Sequence, residues 1–161
     1  MKGSIIGSFR KYYTEVIEII DLFEKIGISI ISPKKSKVIN PNEEFVLFET
    51  DNIKHKPVEI QLIALHRILR SDFVYVFSPD GYIGRTTCYE IGRIVERKIP
   101  LYFSELPKDL PIFMPSNSIW NPTEFVQYLS IHNKLPKIPI TNPIELAEKL
   151  HIDLFLNNYH E

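Results

Sequence analysis

Four short apolar runs, KGSIIGS (2–8), ISIIS (28–32), FVYVFS (73–78) and IPLYFSE (99–105), are separated by stretches of helical periodicity. This alternation constrains the fold more than any other feature of the chain. Strands that alternate with helices of about a dozen residues build βαβ units, and right-handed crossovers then leave few topologies. YYTEVIEIIDLFEKIG repeats apolar residues at helical spacing after the first run. VEIQLIALHRILRSD follows Pro57, a residue suited to the first helical position, and predicts a helix to about Arg70. TCYEIGRIVERK supplies the next helix. The second run is mostly apolar, as expected when helices cover both faces of a parallel sheet. The expected class is an α/β, Rossmann-like or flavodoxin-like open sheet, mainly parallel and flanked by helices.

After residue 100 the character changes, because eight of the twelve prolines fall between Pro100 and Pro143. This stretch reads as a Pro-rich tail that wraps the domain, with helices from about Pro122 to His132 and from about Asn142 to Leu150. The 161 residues fit one domain, with a core over about 1–105 and a C-terminal extension over about 106–161. FVLFETDN (45–52) is consistent with either a short strand or a lid.

An apolar share of 44% with 24% charged residues is ordinary for a globular chain. The 19 basic residues are matched by 20 acidic ones, which disfavours a polynucleotide partner. No apolar run approaches the roughly 18 residues of a membrane span, and MKGSIIGSFR reads as a strand rather than a signal peptide. The expected location is cytoplasmic, away from membranes. Cys88 is the only cysteine, which excludes an internal disulfide, and the five histidines show no close pairing. Neither a metal nor a cofactor is expected.

In open parallel sheets, ligands gather at the carboxyl ends of the strands. That rule puts GSFRK, ISPKKSK and SPDGYIGRTT on one rim. Gly81 and Gly84, followed by Arg85, Thr86 and Thr87, form a strand-to-helix turn whose backbone N–H groups could meet a phosphate at the positive helix end. Glu90 has two readings. Thr87-Cys88-Tyr89-Glu90 spells the T-x-x-E capping box, worth about 1 kcal/mol with no substrate involved. Alternatively, the helix end lowers the carboxyl pKa, and an ionised Glu90 attacks an electrophilic sugar carbon. Gly92 would let this helix approach the sheet closely. Cys88 lies near the same helix end, which can activate a thiol, but no histidine is close in sequence.

GSFRK after the first strand, SDFVYVFSPDGYIG at the third and YEIGRIVERKIPLYF beyond it resemble the nucleoside 2-deoxyribosyltransferase family and its relatives, the deoxynucleoside 5′-phosphate N-hydrolases. The resemblance covers about residues 3 to 105, and its most specific element is the E-[IL]-G helix followed by a basic residue, proline and strand. It implies that Glu90 is a nucleophile toward the anomeric carbon as the base departs. It also implies that Gly7, Ser8, Phe9 and Arg10 line a nucleotide pocket, with Arg10 and Lys11 positioned for a phosphate. Tyr12 and Tyr13 could stack on a base or join the core.

The chain departs from the family at three positions. The family aspartate eight residues before Asp72 is replaced by Ala64, the first-strand tyrosine of the hydrolases by Ser4, and the aspartate six residues before the glutamate by Gly84. Gln61, one turn before Ala64, falls inside the apolar arc of its helix, so it could bond a ribose hydroxyl or nearby backbone. Asp80 is a second candidate for the acid or sugar-binding role, or an ordinary residue of the PDG turn.

The helix beginning at Pro57 is apolar over more than half its circumference, with Glu59, His66, Arg67 and Arg70 on its polar side. This excess, together with the family likeness, predicts a homodimer or higher homo-oligomer. Lys34, Lys35 and Lys37 could attract a phosphate or keep their loop solvated. Glu49 and Asp51 come from a segment that covers the site in the family, and Tyr159 could complete a neighbouring pocket. Three functions remain open at this point: cleavage or transfer at the N-glycosidic bond of a nucleoside or nucleotide, attack on the nicotinamide bond of NAD, and non-catalytic nucleotide sensing.

Overall fold

The computed structural model describes residues 1–37, 39–40, 47–49, 55–110, 112–138 and 146–152. In chain order the elements are β1 (Lys2–Gly7), α1 (Phe9–Lys25), β2 (Ser29–Ser32), α2 (Pro57–Ile68), β3 (Phe73–Phe77), α3 (Arg85–Glu96), β4 (Leu101–Phe103), α4 (Pro122–His132) and α5 (Leu146–His151). The four strands form one sheet in the order β2-β1-β3-β4, and every pairing is parallel. This is the α/β open-sheet architecture expected from the alternation of elements.

Strand alternation sends successive side chains to opposite faces. Phe73 and Tyr75 of β3, Tyr102 of β4 and Ile5 of β1 face one layer, where α1 contributes Val16, Ile19, Ile20 and Phe23, and α4 contributes Phe125, Val126 and Leu129. Val74, Val76, Leu101, Phe103 and Ile6 face the other, where they meet Ile68 of α2 and Ile91 and Ile94 of α3. Both faces are thus covered, which is why the strands lack polar alternation.

The described part of the Pro-rich stretch packs back on the sheet through α4. Asn121 caps α4 by accepting a hydrogen bond from the Glu124 N–H at 2.9 Å, and Pro122 fills the first turn. Two buried tyrosines tie this segment to the sheet: the Tyr75 hydroxyl donates to the Trp120 carbonyl at 2.8 Å, and that of Tyr102 to the Pro136 carbonyl at 2.7 Å. The helix expected over 142–150 is described over Leu146–His151, while 142–145 lie outside the described residues.

The strand-or-lid question at 45–52 receives a partial answer. Residues 47–49 are not a strand of the sheet. They bond back to the loop after β2, with Glu49 N–H donating to the Lys37 carbonyl at 2.8 Å and Ile39 N–H to the Leu47 carbonyl at 2.9 Å. Asp51 lies outside the described residues.

Candidate active site

The strand order places the chain reversal between β1 and β3. From β1 the chain leaves through α1 on one face toward β2, and from β3 through α3 on the other face toward β4. The loops after these adjacent strands therefore diverge, opening a crevice at their carboxyl ends. A cavity of about 510 Å³ occupies this crevice.

Each wall comes from a different element. The β1–α1 turn contributes Gly7, Ser8 and Phe9, and the start of α3 contributes Gly84, Arg85, Thr86, Thr87 and Glu90. One stripe of α2 supplies Ile60, Gln61, Ala64, Arg67 and Ile68, which recur at helical spacing. Ser32, Pro33 and Lys34 come from the end of β2, and Phe48 and Tyr82 complete the wall. Gly7 is required by the backbone: its φ is 152°, and a β-carbon there would lie 2.4 Å from the Phe77 carbonyl oxygen of the neighbouring strand.

Glu90 is the chemical centre of this wall. It is 7% exposed, and its Oε1 accepts a hydrogen bond from the Gln61 amide nitrogen at 2.8 Å. Burial pushes its carboxyl up to about 7, a rise that the Gln61 hydrogen bond opposes. The expected lowering by the helix end is therefore overturned. The reason is position: Gly84 is the cap residue of α3 and Arg85 its first helical residue, so Glu90 sits in the second turn, where the terminal dipole has faded and desolvation dominates. The capping-box reading fails for the same reason, because Thr87 is already inside the helix.

Gln61 donates its amide N–H to the Glu90 carboxylate rather than to nearby backbone. Ala64 lines the cavity with a methyl group. Asp80 and Gly81 do not join the other candidates. Asp80 is exposed, has φ 58° in a one-turn 3-10 segment (Pro79–Gly81), and is not part of the cavity wall. Its charge acts instead on Lys11, whose pKa is raised first by a hydrogen bond with Tyr12 and less by Asp80. Gly81 has a structural duty. With φ 73° it packs against the Leu106 carbonyl, and its own carbonyl accepts the Lys108 N–H at 3.0 Å. The neighbouring Ile83 N–H donates to the Asp109 carboxylate at 3.1 and 3.2 Å, so the tail braces the glycine loop from outside.

Arg10 lies on the first turn of α1, and its side chain is outside the described residues. Tyr12 and Tyr13 do not line the cavity; they pack edge-on to Phe77 and against Phe48 respectively. Lys35 pairs with Asp21, away from the site, whereas Lys34 reaches the cavity wall. Burial and the charge of Asp109 push the Cys88 thiol up, the opposite of activation. Gly92 is exposed and faces open space, so it does not mediate close packing on the sheet.

Sequence reasoning missed Arg67, which a helical wheel assigns to the polar side, and Phe48 and Tyr82. Arg67 was in principle visible, because it lies two turns beyond Ile60 on the same stripe. Phe48 belongs to the 45–52 segment read as a strand or lid, but which of its side chains meets the cavity depends on tertiary packing. Among the described residues no group of three His, Cys, Asp or Glu side chains is arranged to hold a metal ion, and no helix is long and apolar enough to cross a membrane.

No protein-family model, curated protein or solved structure matches the chain, which leaves the chemistry of the cavity to indicate what it binds.

Proposed function

We propose that this protein cleaves, or exchanges the base at, the N-glycosidic bond of a nucleoside or nucleotide, with Glu90 as the nucleophile. The observation that carries the reading is the Glu90 carboxylate, buried in the wall of a ligand-sized cavity at the chain reversal and held there by Gln61. The cavity's other features fit the same ligand class. Phe9, Phe48 and Tyr82 offer aromatic surface for a base. Lys34, Arg67 and Arg85 approach from three separate elements and, with the N-terminal turn of α3, suit a 5′-phosphate.

In the first step a Glu90 oxygen bonds to C1′ while the C1′–N bond breaks; its electron pair leaves with the base, which acquires a proton. In the second step water attacks C1′ and gives up a proton as the ester bond returns its electrons to Glu90, completing hydrolysis. A second base in place of water gives transfer. Covalent catalysis of this kind divides one difficult displacement into two. Attack requires the ionised carboxylate, and positive charge developing on the sugar stabilises that form. With a carboxyl near 7, the rate of the first step rises with pH through about 7 and then levels.

Deoxynucleosides, ribonucleosides, their 5′-monophosphates and NAD, incubated with the protein and analysed by chromatography for released base or nicotinamide, test this directly. Release should fall by at least about 10³-fold in Glu90→Ala. No release above that variant from any of these compounds removes the enzymatic reading. One observation favours a second function: Ala64 leaves Glu90 as the only carboxylate among the described cavity-lining residues, so no second acid stands ready to protonate the base. A nucleotide-sensing module on the same fold would show thermal stabilisation by a nucleotide that survives Glu90→Gln, with the ligand recovered intact.

The same proposal includes a cytoplasmic homo-oligomer. Its support is the apolar excess of α2, which is exposed at Val58, Leu62 and Ile63.

A further inference from the structure

We infer that Gln61 is a positioning residue: its amide, projecting from α2 onto the α3 carboxylate, fixes the orientation of Glu90 and holds its charged form ready for attack. The inference rests on Glu90 being the reacting group of the proposed function.

The contact joins two helices through one bond of 2.8 Å across 29 residues of sequence. It holds a side chain that is 7% exposed, where an unheld carboxylate would be expensive. An amide suits this duty because it carries no charge of its own. An acidic residue at 61 would repel the ionised Glu90, and a basic one would pair with it and blunt its nucleophilicity. An amide oriented as here donates an N–H to the ionised carboxylate and so favours its charged form. The same N–H can meet the ester carbonyl formed between the two steps.

The charged and titratable groups that share the cavity wall with this pair are Arg67 on α2, Arg85 on α3, Lys34 after β2 and Tyr82 before α3. Beside these groups, burial raises the proton affinity of Glu90 and the Gln61 hydrogen bond lowers it. Removing the amide while keeping the volume should therefore leave burial unopposed.

The test is a carboxyl-carbon NMR titration of the full chain, with the Glu90 signal assigned by its loss in Glu90→Gln. Gln61→Met preserves volume without a donor, and Gln61→Asn retains an amide one methylene too short to reach. Both should move the Glu90 midpoint upward by about one pH unit, a tenfold rise in proton affinity. The pH at which base release reaches half its plateau should move with it. Two variants guard against one that fails to fold, which the amide proton spectrum reveals. A midpoint unmoved in a folded variant overturns the inference. So does a loss of base release confined to KM with an unmoved pH profile, which would make Gln61 a substrate contact. A raised midpoint in protein that releases no base from any compound supports the role of Gln61 and removes only the glycosidic reaction, so the two failures are distinguishable.

Discussion

On the face of the sheet that carries α1 and α4, Phe125 is fully buried and meets five rings, those of Phe23, Phe73, Tyr75, Tyr102 and Trp120, at centroid separations of 4.6–6.1 Å. On the opposite face, between α2 and α3, the chain leaves a cavity of about 510 Å³ and buries a carboxylate against it. The first arrangement maximises apolar contact and satisfies its tyrosine hydroxyls with backbone carbonyls. The second forgoes packing and accepts desolvation of Glu90. A fold stabilised mainly by one face can tolerate an unfavourable group on the other, and such groups concentrate where chemistry is done.

The contrast can be broken most forcefully at Phe125. Phe125→Ala should lower unfolding free energy by about 3–5 kcal/mol in urea denaturation. A loss under about 1 kcal/mol would show that the aromatic face does not dominate stability.

The next effect in size belongs to the cavity face and has the opposite sign. The folded pKa of Glu90, about 7, lies above its ordinary value of 4.5. Below about pH 4.5 the residue is protonated in both folded and unfolded chains and costs nothing. As pH rises toward and through 7 the unfolded chain releases the proton first, and the folded state loses stability relative to it, approaching about 3 kcal/mol at full ionisation. Glu90→Gln removes that dependence. It should be more stable than the wild type by up to about 3 kcal/mol at pH 8, with the difference vanishing by about pH 4.5. Equal stability of the two proteins at pH 8 would mean that the carboxylate carries no buried cost.

A smaller effect sharpens the role of the wrapping tail. Asn121→Ala removes the cap of α4 and should cost about 1 kcal/mol. Because α4 packs on the aromatic face, the loss should leave base release untouched while lowering the melting temperature. Reduced release at unchanged KM would instead tie the tail to the site.

Much of the fold was legible because it depends on local periodicity. Pro122 to His132 was readable as a helix from its proline and apolar spacing, and the structure has it over those residues. β3 and β4 were readable from FVYVF and LYF, whose apolar runs leave no other buried element of that length. The site was legible in part. Gly7, Ser8, Phe9, Gln61, Gly84, Arg85, Thr86, Thr87 and Glu90 do line one cavity. Asp80 and Gly81 were candidates for the same reason as Gly84, their place in the glycine loop, yet a left-handed turn and contacts with residues 106–109 carry them away from it.

What the sequence determined by itself is the order of strands and helices, the rim on which glycines and hydroxyls gather, and the presence of one carboxylate near the start of the helix after β3, since all of these follow from patterns within a few residues. What only the tertiary structure decided is the state of that carboxylate. Its proton affinity depends on how much water α2 excludes from it and on an amide 29 residues away. Desolvation and long-range hydrogen bonds are properties of the packed molecule, and no local stretch of chain encodes them.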